Sequence, residues 1–302
     1  MRLLVLGGDG MLGHELLRQL AAEHDVRVTL RRDLGAYTHL GLFTPANAVG
    51  GVDVRDRDAL TAAFADFRPQ AVVNAAAIVK QRPEAADPIA SLEVNALFPH
   101  RLAALCRSAG ARLVHLSTDC VFSGRRGGYR EDDEPDPVDL YGRTKLLGEV
   151  DDGAALVLRT SIVGLELASR RGLVEWFLAQ RGAVPGYRRA RWSGLTTMEV
   201  ARLVGWLLVR HPGLAGLWQV AAEPISKYEL LSSLARALGR TDPRVEPDDQ
   251  VVCDRSLHGE RFAAATGYPA PSWDELVGEL AERVLARERG AVPAAAAART
   301  LS

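Results

Sequence analysis

The stretch that decides the fold opens the chain: Arg2-Leu3-Leu4-Val5-Leu6-Gly7-Gly8-Asp9-Gly10-Met11-Leu12-Gly13-His14-Glu15-Leu16-Leu17. Leu3 to Leu6 is a short apolar run, too short for a signal peptide or a membrane span, and it reads as a buried first strand. Glycines at 7, 10 and 13 follow as GxxGxxG, and Leu12, Leu16, Leu17 and Leu20 recur at helical spacing. A strand, a glycine turn and an amphipathic helix form the context in which this motif holds a pyrophosphate. Gly7 would allow the tight turn, Gly10 would let a phosphate approach the backbone, and Gly13 would let the helix pack close to the sheet. The helix N-terminus at Met11 and Leu12 would offer free N–H groups and a positive dipole end.

Outward from this unit, strand and helix patterns alternate through the first half of the chain. Strands are expected at 26–30, 48–52, 71–74, 112–117 and 155–159, with helices at 11–22, 56–67, 88–109 and 141–148. Alternating β and α units imply a parallel sheet covered by helices on both faces. The fold class is therefore α/β: a Rossmann-type doubly wound parallel sheet with a smaller, mixed C-terminal substrate lobe. The expected division is a dinucleotide-binding domain over 1–160 and a substrate lobe over 161–289. A strand and helix around 195–222 would return to the first domain. Helices are expected at 172–181, 196–210, 226–238 and 273–287, and one strand at 217–221. Residues 290–302 are mainly alanine and read as a low-complexity tail.

Of the 302 residues, 47% are hydrophobic and 25% charged, ordinary for a globular chain, and the net charge of −1 argues against a global field for nucleic acid. Three cysteines, Cys106, Cys120 and Cys253, show no metal-ligand spacing, so no metal site or disulfide framework is expected and a reducing cytoplasm fits. No membrane partner is expected either.

The second strand runs into Arg31-Arg32, where an acidic residue would bind the ribose hydroxyls of NAD. Guanidinium forks suit a 2′-phosphate, which favours NADP(H), while Asp33 keeps NAD(H) open.

Tyr141-Gly142-Arg143-Thr144-Lys145 is a YxxxK motif on a predicted helix. Positions i and i+4 share a face, so an ammonium beside the phenol would lower a pKa that is ordinarily about 10 and make a usable acid/base. With six tyrosines and three lysines in the chain, the pattern is expected by chance on the order of 0.06 times, so a coincidence is a poor account of it. Upstream, Ser117-Thr118-Asp119-Cys120 follows a strand end, where a hydroxyl faces the crevice that binds ligands in such folds. Thr118 would polarise a substrate carbonyl.

GxxGxxG, Asn74-Ala75-Ala76-Ala77, Ser117-Thr118-Asp119-x-Val121-Phe122-x-Gly124 and YxxxK, in this order, resemble the extended short-chain dehydrogenases/reductases, in the branch of dTDP-4-dehydrorhamnose reductase. The resemblance implies a triad of Thr118, Tyr141 and Lys145. It implies that Asp53 and Val54 flank the adenine, that Asn74, Ala75 and Ala76 line the cofactor cleft, and that Lys145 also reaches the nicotinamide ribose. It further implies NADPH-dependent reduction of a keto group on a nucleotide-activated deoxysugar and a homodimer.

The pattern splits in two places. Sugar 4,6-dehydratases of this fold carry Thr-Asp-Glu where this chain has Cys120. Epimerase/reductases place a cysteine there but need a histidine from the lobe, and none lies between His115 and His211. Cys120 is therefore read as packed. From Trp176 to Met198 there are four arginines and no acidic residue. Arg189 and Arg191 would hold a diphosphate, with Tyr187 or Trp192 stacking; a solvated basic loop is the alternative. Lys80, Asp119 and Cys120 complete the candidate substrate residues, and Asn95 reads as structural. Two rival functions remain: a nucleotide-sugar epimerase or epimerase/reductase, and a non-catalytic NADP-binding regulatory subunit of the kind that serves methionine adenosyltransferase.

Overall fold

The first strand, β1 (Arg2–Leu6), buries Leu3, Leu4, Val5 and Leu6 completely, which only a strand covered on both faces can do. The computed structural model describes residues 1–290; the alanine-rich tail expected over 290–302 lies, apart from Gly290, outside them. After β1 come α1 (Gly13–Leu20), β2 (Asp25–Thr29), β3 (Ala48–Val49), α2 (Arg57–Phe67) and β4 (Ala71–Asn74). Asp56 caps α2 by accepting from the N–H groups of Asp58 and Ala59. A helical stretch then runs through α3 (Pro88–Ser91), a π turn (Leu92–Leu97) and α4 (Phe98–Ala109). Next are β5 (Arg112–Leu116), α5 (Leu140–Leu147), β6 (Leu156–Arg159), β7 (Ile162–Val163) and α6 (Leu173–Ala179). The chain continues through β8 (Ala183–Tyr187), β9 (Ala190–Trp192), β10 (Leu195–Thr196), α7 (Thr197–Arg210) and β11 (Gly216–Gln219). It closes with β12 (Ile225–Ser226), α8 (Lys227–Ala237), β13 (Arg244–Asp248), β14 (Cys253–Asp254), α9 (Glu260–Thr266) and α10 (Trp273–Glu288).

Seven strands form one sheet in the order β11-β6-β5-β4-β1-β2-β3, and all of its neighbours are parallel. The order reverses between β1 and β4, so their C-terminal ends, Gly7 and Asn74, bound the crevice where such sheets bind ligands. One core layer packs β1 and β2 against α1 and α7 through Leu3, Leu16, Leu17, Val204 and Leu207. The opposite layer packs Leu4, Leu6 and Val72 against Phe64, Phe67, Phe98 and Leu102. A separate core around Phe177, Trp192, Leu230, Leu234 and Leu280 holds the later segments together.

The returning strand is β11, which pairs with β6 at the sheet edge from Gly216↔Leu156 to Gln219↔Arg159. Several short strands escaped the sequence reading: β7 with β10, β9 between β12 and β14, and β8 with β13. Their pairings join residues up to about sixty positions apart, and strands of two to five residues leave little periodicity to detect. Among the described residues no helix is long and apolar enough to cross a membrane.

Candidate active site

The glycine turn is built by backbone crowding. Gly7 takes a φ of 84°, and its carbonyl accepts the N–H of Gly10 at 3.0 Å. A Cβ on Gly13 would stand 2.0 Å from the Gly7 oxygen and 2.9 Å from Gly8 Cα, so only glycine lets α1 start this close to the strand end. Gly10, Met11 and Leu12 then line a cavity of about 560 Å³ that runs to Tyr141 and Lys145. Leu12 at the N-cap has no side-chain cap bond, which leaves the helix N-terminus facing that cavity. A turn that excludes a Cβ, opening on an uncapped helix start, fits a phosphate of a dinucleotide.

At the far end of this stretch Arg31 and Arg32 both line the cavity. The Arg32 guanidinium lies 5.2 Å from the centre of the Tyr37 ring. The Tyr37 hydroxyl donates to Asp9 Oδ2 at 2.9 Å and accepts from the Arg32 N–H at 3.3 Å. Arg31 faces Glu84 at 3.6 Å with much of its side chain exposed. Asp53 and Val54 are not among the residues that line this cavity. The Asp53 carboxylate instead grips Arg55 at 3.0 and 2.7 Å, and that grip holds its pKa below the ordinary value. On the opposite wall, Asn74, Ala75 and Ala76 line the cavity as read. Asn74 Oδ1 accepts from the Ala76 N–H at 3.2 Å, and Nδ2 donates to His115 Nδ1 at 3.0 Å.

The reactive end forms where β5 and α5 meet. Thr118 follows β5, accepts from the Cys120 N–H at 3.2 Å and donates to Asp119 Oδ1 at 3.2 Å, and it shares the cavity wall with Tyr141. Asp139 caps α5, accepting from the Gly142 N–H at 2.8 Å, and its second oxygen lies 2.6 Å from Lys80 Nζ. Lys80 in turn sits 5.6 Å from the Tyr141 ring centre. Tyr141 and Lys145, one turn apart, both face the cavity. Asn95, in the π turn, bonds both polar groups of Ile78 and reaches Thr144 Oγ1 at 3.3 Å, tying the loop after β4 to α5.

The electrostatics differ from the expected cation-lowered phenol. Lys145 Nζ donates to the Leu116 carbonyl at 2.6 Å, and burial pulls its pKa down to about 8 against the opposing pull of Glu149. Tyr141 moves up: burial comes first, then the Cys120, Asp119 and Asp139 groups, and the Thr118 hydrogen bond only partly offsets them. The phenol is therefore held protonated at neutral pH, which suits a proton donor. Burial also pushes Cys120 up to about 11, so it stays a thiol.

Among the candidate substrate residues, Lys80, Asp119 and Cys120 line the cavity. Arg189 and Arg191 do not; both are exposed, and Arg191 donates to the Pro224 carbonyl at 3.2 Å and faces Asp254 at 3.9 Å. The neighbouring Arg188 is paired with Asp249. The basic run is thus largely neutralised by acidic residues from the segment that follows α8. Two residues not singled out for this role do line the cavity, Lys227 and Ser161, as does Trp192. Among the described residues, no cluster of His, Cys, Asp or Glu is placed to hold a metal.

Comparison with known proteins agrees with this architecture. The RmlD substrate binding domain family matches residues 1–179. The chain is 31% identical over 290 residues to a dTDP-4-keto-6-deoxy-D-glucose reductase of Streptomyces niveus, covering 91% of this chain and 90% of that one. It is also 27% identical over 267 residues to methionine adenosyltransferase 2 subunit beta of Xenopus tropicalis, covering 82% and 75%. The crystal structure of dTDP-4-dehydrorhamnose reductase from Bacillus anthracis str. Ames in complex with NADP superposes with a TM-score of 0.76 at 20% identity, covering 93% of this chain and 99% of that one. A glycine-turn crevice at the strand reversal, a Thr-Tyr-Lys group at its end and these matches have one common reading: the chain belongs to the RmlD family of extended short-chain dehydrogenases/reductases.

Proposed function

We propose that the chain is an NADPH-dependent ketoreductase acting on the 4-keto group of a nucleotide-linked 6-deoxyhexose. The observation that carries this is the meeting of Thr118, Tyr141 and Lys145 at one end of a cavity whose other end is the glycine turn. Bound NADPH would supply the hydride. Gly7, Gly10, Met11, Leu12 and Gly13 hold its pyrophosphate, Arg31 and Arg32 its 2′-phosphate, and Asn74, Ala75 and Ala76 line its path. Lys145 orients the ribose, and NADH is the weaker alternative. The likeness to a reductase solved with NADP supports the same preference.

The chemistry follows from the resting protonation states. Thr118 hydrogen-bonds the substrate carbonyl, and Tyr141, kept as a phenol, gives its proton to the oxygen as negative charge develops there. The protein works in the cytoplasm, with 1–160 as the cofactor half and 161–289 mainly as the substrate lobe. A homodimer is supported by exposed Ile89, Leu92, Leu97 and Leu147, which lie along the α3-to-α4 stretch and on α5.

A second reading has one observation in its favour, the similarity to methionine adenosyltransferase 2 subunit beta. It makes the chain a regulatory subunit that binds the dinucleotide without turnover. Following NADPH oxidation at 340 nm against a panel of nucleotide-linked 4-keto-6-deoxyhexoses separates the two. Turnover supports the ketoreductase; tight NADPH binding with no turnover on any sugar favours the regulatory subunit.

A further inference from the structure

Of the chain's 37 basic Lys and Arg residues only three are lysines, Lys80, Lys145 and Lys227, and all three line the one cavity. A chain that uses arginine almost everywhere else places its compact, three-donor ammonium groups here. Two of them have partners: Lys145 donates to the Leu116 carbonyl at 2.6 Å, and Lys80 is paired with Asp139 at 2.6 Å. Lys227 is different. It starts α8 behind a capping box made by Ser226 and Glu229, so its backbone is fixed. Its ammonium rests 4.1 Å from the centre of the buried Trp192 ring, and among the described residues no oxygen is bonded to it.

Asp119 is the charged group that acts most strongly on Lys227, yet the two form no ion pair within 4.0 Å. Both line the same cavity, which therefore presents an ammonium that can only donate and a carboxylate that accepts. A hydroxyl, which both accepts and donates, matches that pair. Asp119 adjoins Thr118 in sequence and accepts from its hydroxyl at 3.2 Å, so the carboxylate lies beside the carbonyl-binding group. In a 4-keto-6-deoxyhexose the ring carbons flanking the carbonyl bear a hydroxyl at position 3 and a methyl at position 5.

We propose that Lys227 and Asp119 read the 3-hydroxyl of the sugar, Lys227 donating to it and Asp119 accepting from it, which makes Lys227 a specificity-determining residue. This rests on the ketoreductase reading for the identity of the sugar. Burial pulls the Lys227 pKa down to about 8, with Asp119 opposing, so the ammonium keeps its proton at neutral pH.

The test is calorimetric, on the intact chain saturated with NADP, with a nucleotide-linked 6-deoxyhexose and its 3-deoxy analogue as probes. Lys227→Met is expected to weaken binding of the 3-hydroxy sugar about tenfold to a hundredfold and that of the 3-deoxy analogue less than about threefold. NADP affinity should stay unchanged and Tm at pH 7 should not fall, since the buried ammonium is removed, and Lys227→Gln serves as a second variant with the same expected binding pattern. An equal loss for both sugars, or no loss for either, overturns the proposal. Wild-type binding with the expected Lys227 pattern but without turnover removes the reductase reading and leaves the Lys227 assignment standing. Failure of the wild type to bind either sugar overturns both.

Discussion

Lys145 Nζ donates to the main-chain oxygen of Leu116, the last residue of β5, at 2.6 Å, with His115 Nε2 at 3.5 Å. The bond fixes the ammonium under the strand end rather than against the phenol one turn earlier. It also keeps a cation in a buried place, where its pKa falls from 10.5 to about 8. The folded state therefore binds this proton less tightly than the unfolded chain. The cost, on the order of 3 kcal/mol, is fully present below pH 8 and disappears as pH rises towards 10.5. Lys145→Met should abolish turnover. Its Tm relative to wild type should be highest near pH 7 and fall steadily between pH 8 and 10. A Tm difference that does not change with pH would show that the lysine is not depressed by burial.

The glycines of the turn should separate stability from binding. A Cβ at position 13 would meet a backbone oxygen at 2.0 Å, and neither partner can move without shifting the strand or the helix. Gly13→Ala is expected to cost about 1–3 kcal/mol or more, visible as a lower Tm. At Gly10 the nearest atom to an added Cβ is 3.2 Å away, and the position faces the cavity. Gly10→Ala should leave Tm nearly unchanged while weakening NADPH binding about tenfold, measured by fluorescence titration.

Cofactor choice should rest on Arg32 more than on Arg31. Arg32 is braced against the Tyr37 ring, which Asp9 holds through its hydroxyl, whereas Arg31 is half exposed and faces Glu84. Arg32→Ala should lower kcat/KM for NADPH about tenfold to a hundredfold and alter that for NADH by less than about threefold. Tyr37→Leu should produce a smaller change in the same direction. Equal losses with both cofactors would remove the 2′-phosphate role.

The parts legible in the sequence were those with local periodicity. The apolar run, the glycine spacing and the helix of α1 announced the crevice, and the i, i+4 spacing placed Tyr141 and Lys145 on one face. What the spacing could not give was where the two side-chain tips end. The Lys145 tip belongs to Leu116, and the phenol is surrounded by Cys120, Asp119 and Asp139. The arginine run meets the same limit: Asp249 and Asp254 reach Arg188 and Arg191 only after a long detour through α8. Asp53, which the resemblance gives to the adenine, also pairs with Arg55 two residues on, a contact the spacing alone does not reveal. Lys227 had no local pattern. Its signal was compositional, since it is one of only three lysines in an arginine-rich chain.

In the proposed reaction Tyr141 delivers a proton while hydride reaches a sugar carbonyl in this cavity. The direct measurement is mass spectrometry of the product formed from a nucleotide-linked 4-keto-6-deoxyhexose with NADPH deuterated at the transferable position, using wild type and Tyr141→Phe. One deuterium is expected at carbon 4 of the wild-type product, and a rate at least about a hundredfold lower in the variant with unchanged NADPH affinity. A product without deuterium, or equal rates for the two proteins, would contradict the proposed reaction.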